Sequence, residues 1–220
     1  PQLVSALLGV PYDAIRIVTG DSDVVGIGGG SHSDRSMRIG GIVMREATEK
    51  VIEKGRQIAA DLLEAAAEDI TFTDGSYWVN GTDKTLFLFD VAASVGPQGI
   101  TAESVFRGRS AAYPNGAAIS EVEIDPSTGA LVVIVHATID DPGRAIHPMI
   151  LRGQAHGSIV QGIGQAMIEN GYYDPESGQL IAGSFMDYGL LRADDVPDFK
   201  TGLHEVPTEN NSLGVKGGGE

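Results

Sequence analysis

A chain of 220 residues, 42% apolar and of near-zero mean hydropathy, is sufficient for one large domain or two small lobes around ordinary cores. A formal net charge of -15 and a pI near 4.6, with no cluster of Lys and Arg, argue against a nucleic-acid partner, whose phosphates need such a cluster. Zero cysteines exclude disulfides, thiolate zinc and cysteine-held iron–sulfur clusters from this chain, and no apolar run reaches the roughly 18 residues of a membrane helix. No basic-then-apolar leader is seen, so membrane insertion is not expected and a cytoplasmic location is. Pro1 and Glu220 read as cut ends, which makes the chain an expected piece of a longer polypeptide.

In chain order, Gln2 to Leu8 reads as the last turns of a helix closed by Gly9 and Pro11. Ile15 to Thr19 alternates like a strand and empties into a loop holding Gly26, Gly28, Gly29, Gly30, Ser31, His32 and Ser33. The glycine spacing is not that of a dinucleotide fold. Met37 to Ala67 is predicted as one long helix, from Ile39, Ile42, Val43, Val51, Ile58, Leu62 and Leu63 at near-helical spacing. The loop therefore ends at a helix N-terminus, where free N–H groups and the dipole favour an anion.

Asp69 to Asn80 reads as a hairpin through Asp74-Gly75, with Trp78 as a core residue. Thr85 to Val95 passes from a strand to a short helix capped by Asp90. Ile119 to Ile124 and Leu131 to Ile139 are strands joined by Asp125-Pro126-Ser127-Thr128-Gly129, and Asp174-Pro175-Glu176-Ser177-Gly178 repeats that turn chemistry in a second hairpin. A second long helix is predicted near 150 to 169, and a strand near 199 to 206. The fold class is α+β, with mixed or antiparallel strands and two long helices.

On the second helix Gln154, Gly157, Gln161, Gly164 and Gln165 share one face. Glycine costs about 1 kcal/mol against alanine inside a helix, so Gly157, Gly162 and Gly164 call for a close neighbour, either another helix or a ligand. Glutamine amides donate and accept, and so can read a heterocycle without adding charge. Asp194-Asp195 lacks a third ligand and reads as a solvated turn, so no metal-ligating residue is assigned. The densest chemistry is Asn210 to Glu220, where Gly214, Gly217, Gly218 and Gly219 surround Lys216 and lead to a terminal carboxylate. Taken alone, that run also suits a solvated tail.

Four blocks in order carry a resemblance: Gly28 to Ser36, then Asp141-Pro142-Gly143-Arg144 through Pro148, then Gly153-Gln154 through Gln161-Gly162-Ile163-Gly164, then Leu213 to Glu220. Together they resemble the molybdenum-cofactor-binding large subunit of the xanthine dehydrogenase, aldehyde oxidase and carbon monoxide dehydrogenase family, over essentially the whole chain. The resemblance implies residues 1–220 as the second, C-terminal cofactor-binding region of a molybdenum-dependent oxidoreductase. Its small substrate is an aldehyde, an N-heterocycle or a similar molecule, and its oxygen comes from water. It implies Glu220 as the catalytic base, and Gly29, Gly30, Ser31, His32, Ser33, Gln154, Gln161, Lys216, Gly217 and Gly218 as contacts to a molybdenum-pterin cofactor, whose dinucleotide form stays open. Lys216 would orient either the loop or a phosphate. Iron–sulfur and FAD would sit in partner subunits or domains, and the isolated piece would be inactive. His147 and Asp34 depart from residues common in relatives. An alternative is a non-catalytic structural module without cofactor. A GDSL-type esterase, suggested by Gly20-Asp21-Ser22, fails because no histidine follows an Asp by three residues.

Overall fold

The computed structural model describes residues 1–26, 28–32, 34–107 and 111–218. It divides into two compact units, Pro1–Ser110 and Ala111–Glu220. In the first, α1 (Gln2–Leu8) ends on Gly9 at φ 63, and packs on α2 (Arg35–Leu63). A three-stranded antiparallel sheet follows, β1 (Ile70–Thr73), β2 (Ser76–Val79) and β3 (Thr85–Phe87), and then α3 (Leu88–Ser94).

The long helix and the first hairpin are as expected, but α2 begins at Arg35 and closes at Leu63, with Glu64 left-handed at φ 52. Its approach to the sheet is made by small residues. Gly55, Ala59 and Ala60 are buried, whereas Leu62 is exposed and Val51, Ile58 and Leu63 are only half-buried. The reason is Tyr77, which is 0% exposed and projects from β2 onto α2. Its hydroxyl donates to the Ile52 carbonyl at 3.1 Å, and its ring lies 4.7 Å from that of Phe72. Burial pushes the Tyr77 phenol up to about 12.

Several expectations are corrected here. Trp78 is 44% exposed, because alternation along β2 turns it to the face opposite Tyr77 and Val79. Asp90 does not cap α3. Phe87 holds that position, and Asp90 lies in the first turn, where the helix dipole favours its charge. Residues 15–19 form no strand, since none of the described strands pairs with them.

The second unit holds β4 (Asn115–Ile124), β5 (Leu131–Asp141), α4 (Pro148–Met167) and β6 (Lys200–Leu203). β4 and β5 are antiparallel with a bulge between Glu121 and Val122, while β6 runs parallel to β5, so the sheet is mixed. All ten β4 residues are exposed. Pro148 opens α4, and the His147 Nδ1 accepts the Ile150 N–H at 3.3 Å. The turn at 174–178 repeats the chemistry at 125–129, but it joins only an isolated bridge, Tyr173 to Leu180. Asp194 and Asp195 lie in a 3-10 turn in which Asp195 accepts the Arg192 N–H at 2.8 Å. No described helix is long and apolar enough to cross a membrane.

Two outcomes follow. A Cβ on Gly55 would overlap the Tyr77 hydroxyl. Gly55→Ala gains about 1 kcal/mol in helix propensity but loses about 1–3 kcal/mol to overpacking, so urea denaturation followed by Trp78 fluorescence should show a less stable chain. Tyr77→Phe should recover part of that loss. Asp125 accepts the Ser127 hydroxyl and N–H and the Thr128 hydroxyl, at 2.7, 2.8 and 2.7 Å, which holds its carboxyl at about 2. Because that pKa is depressed, the turn's contribution is present above the ordinary carboxylate range and is lost as pH falls through about 2. NMR titration of Asp125 should return toward the ordinary value in Ser127→Ala.

Candidate functional site

β5 ends at Asp141, because Pro142 cannot donate to a ladder and Gly143 turns the chain at φ +70. There the strand end captures the glycine-rich segment. Gly143 bridges Val215 in antiparallel fashion, the Arg144 N–H donates to the Gly214 carbonyl at 2.8 Å, and the Lys216 N–H donates to the Pro142 carbonyl at 2.7 Å. A Cβ on Gly143 would overlap the Gly214 carbonyl, so only glycine permits this approach. Asn211 shapes the loop. Its Oδ1 accepts the N–H groups of Leu213 and Val215 at 3.1 and 3.2 Å, and its Nδ2 donates to the Val215 carbonyl at 2.8 Å. Leu213 and Val215, 4% and 2% exposed, anchor it in apolar surroundings.

The electrostatic centre is Asp141. Its Oδ2 receives the Lys216 Nζ at 2.5 Å, with the two side chains 12% and 11% exposed. Its Oδ1 accepts the Gly143 and Val206 N–H groups at 2.9 and 3.0 Å. Burial alone would raise the Asp141 pKa; the Lys216 hydrogen bond, the two N–H donors and the Lys216 charge outweigh it and hold the carboxyl below its ordinary value. The stabilisation from this group is therefore complete at neutral pH and is lost as the solution is acidified below the usual carboxylate range.

Gly217 and Gly218 form part of the wall of a cavity of about 680 Å³. α4 contributes Ala155, Ser158 and Gly162, and the strands contribute Ser120 and His136, whose Oγ and Nδ1 lie 2.7 Å apart. Gln154 and Gln161 lie on an exposed face of α4 and do not line this cavity. Added Cβ atoms on Gly157 and Gly162 would meet nothing within 4 Å, so no tight helix crossing within the described residues accounts for those glycines. Gly164 is different, since a Cβ there would meet the Glu169 carboxylate.

In the first unit the Gly29–His32 segment is exposed and runs to the N-terminus of α2. The Arg35 guanidinium occupies the place a Cβ on Gly29 would need, Ser31 and Ser36 hydroxyls lie 2.5 Å apart, and Asp34 is left-handed at φ 55. Aspartate is among the few non-glycine residues that adopt this conformation readily, as Asp74 does in the first hairpin.

Of the residues assigned from sequence, Lys216, Gly217 and Gly218 are thus brought together with the Asp141–Arg144 block and the start of α4, where Leu151 Cδ2 lies 2.5 Å from a Cβ built on Gly218. Gly29, Gly30, Ser31 and His32 belong to the other unit. Ser33 and Glu220 lie outside the described residues. Sequence reading placed Asp141 and Asn211 inside its motif blocks but gave neither a role of its own. Both precede a tight glycine turn by two or three residues, the spacing at which Asx side chains cap their own backbone, and that signal could have found them.

The profile of the molybdopterin cofactor-binding domain family matches residues 1–197. The gamma subunit of the 6-hydroxypseudooxynicotine dehydrogenase complex of Paenarthrobacter nicotinovorans is 36% identical over all of this chain and 29% of its own length. The carbon monoxide dehydrogenase large chain of Hydrogenophaga pseudoflava is 31% identical over 98% of this chain and 28% of its own. Among solved structures, a Cu,Mo-CO dehydrogenase superposes with a TM-score of 0.89 at 30% identity, covering 99% of this chain and 28% of that one. Quinoline 2-oxidoreductase from Pseudomonas putida 86 gives 0.85 at 33% identity, covering 99% and 29%. The chain spans under a third of the length of these relatives. These matches establish that the chain belongs to the molybdopterin cofactor-binding domain family.

Proposed function

We propose that this chain is the C-terminal cofactor-binding region of a molybdenum hydroxylase large subunit, and that Glu220 is its general base. The carrying observation is the docking of the 214–218 loop on the Asp141–Arg144 turn, with Gly217 and Gly218 in a cavity wall. Glu220 is assigned the base because it closes the glycine-rich block that this turn holds.

The donor set fits the cofactor's organic part. Taken unit by unit, the Ser31 hydroxyl ahead of α2 suits an anion in the first, and in the second the main-chain N–H groups of the glycine loop suit a phosphate and the Gln154 and Gln161 carboxamides suit a heterocycle edge. The open space over Gly157 leaves room for a close neighbour beside the glutamine face. When bound, the cofactor supplies two-electron oxidation chemistry at molybdenum. Glu220 would act as the general base that accepts a proton from the water-derived oxygen. His32, Ser33 and the start of α2 hold the anionic end of the ligand.

Iron–sulfur and flavin centres in other subunits or domains would accept the electrons, and the rest of the large subunit would complete the site. The substrate is a small molecule of the aldehyde or N-heterocycle class. The relatives named for nicotine 6-hydroxylase and quinoline 2-oxidoreductase favour the heterocycle.

Glu220→Gln in the full-length enzyme should keep molybdenum content and cut turnover by about 10²-fold or more, because Gln retains shape and hydrogen bonding but accepts no proton. Steady-state assays on an aldehyde and N-heterocycle panel, beside metal analysis of the same preparation, check this. Normal turnover at full occupancy would remove Glu220 from the mechanism. The 220-residue chain alone should bind no molybdenum and show no activity; stoichiometric metal in it would overturn the reading that a second half is required.

A further inference from the structure

Between Gly214 and Gly218 only Val215 and Lys216 carry side chains. Glycine loses more conformational freedom on ordering than any other residue, so a segment of this composition holds one geometry only where it is pinned. Val215 is the apolar pin, buried beside Leu213. Lys216 is the polar one. Its backbone N–H is bonded to the Pro142 carbonyl, and its Nζ to Asp141, so the same residue is held at both ends.

We propose that Asp141 and Lys216 form a positioning clamp that fixes Gly217 and Gly218 in the cavity wall, and that Lys216 is a positioning residue and does not ligate a cofactor phosphate. An ammonium drawn off to a phosphate would abandon a carboxylate that is itself almost buried. That would strand Asp141 with only the Gly143 and Val206 N–H groups as partners. Removing one member of a nearly buried pair costs far more than the pair's net worth, because the other charge is left without its counter-ion. Asp141 in turn ties three separate segments together: the turn after β5, the strand exit at Val206 and the glycine loop. The carboxylate is thus the joint through which the loop's position is set.

For its kinetic consequence the clamp rests on the reading of Glu220 as base; its structural consequence does not. The test uses the assembled full-length enzyme with Asp141→Asn, Lys216→Met and the double variant. Three quantities are read: hydrogen exchange of the peptide spanning 211–220, molybdenum content, and kcat and KM per molybdenum. Each single variant should speed exchange by about tenfold, within the range for residues of one hydrogen-bond network, and the double should be no faster than either single. Molybdenum content should stay within about twofold, with kcat reduced and KM unchanged, the signature of a misplaced reacting group. Loss of molybdenum in Lys216→Met but not in Asp141→Asn would make Lys216 a phosphate ligand and overturn the clamp. So would effects that multiply in the double variant. Lys216→Arg keeps a cation that can pair with Asp141, so its exchange should be slower than in Lys216→Met, and exchange as fast as in Lys216→Met would also overturn the clamp. If Glu220→Gln turns over normally, the exchange and coupling results still decide the clamp by themselves.

Discussion

The second unit depends on one carboxylate. At Asp141 a strand ends, a proline blocks its continuation, and a glycine-rich segment from more than sixty residues later is drawn alongside. Hydrogen bonds between the two backbones set the register, but backbone pairing of so few residues has little resistance to sliding when most of them are glycine. The charge supplies what is missing. An ammonium and two N–H donors converge on its two oxygens, and a near-buried carboxylate with that many donors has no alternative arrangement of comparable energy.

The first unit solves the opposite problem. There the tight approach is between a helix and a sheet, and it is made possible by removing side chains from α2 at Gly55, Ala59 and Ala60 so that one tyrosine can enter. The phenol is satisfied by the Ile52 carbonyl, so its burial carries no unpaired donor. Small residues thus serve two ends in the same chain, a close hydrophobic contact in one unit and a main-chain approach in the other.

Much of this was legible in the residues. The two long helices followed from spacing, the Asp74-Gly75 hairpin and the Asp125 turn from local chemistry, and the closing of α1 from Gly9, because each of these is decided within a few residues of itself. The face of α2 that meets the sheet was not legible, because large apolar residues dominate the periodic signal while the contact is made by the small ones between them. Nor was the choice between Tyr77 and Trp78, since alternation fixes which residues share a face but not which face is inward. For the site, the glycine blocks were visible. Their mutual docking was not, because a pair such as Asp141 and Lys216 lies seventy-five positions apart and neither residue is unusual where it stands.

The exposed strand β4 has a consequence for how this chain behaves on its own. It forms one margin of a three-stranded sheet, so half of its main-chain groups have no strand partner among the described residues, and Ile119, Val122 and Ile124 are exposed beside them. Native sheets blunt such margins with lysine, proline or a covering element. Here Glu121, Glu123 and the bulge at Glu121/Val122 are the deterrents in the strand itself. A preparation of this chain in which those two charges are replaced by neutral side chains would therefore be expected to associate edge to edge along β4.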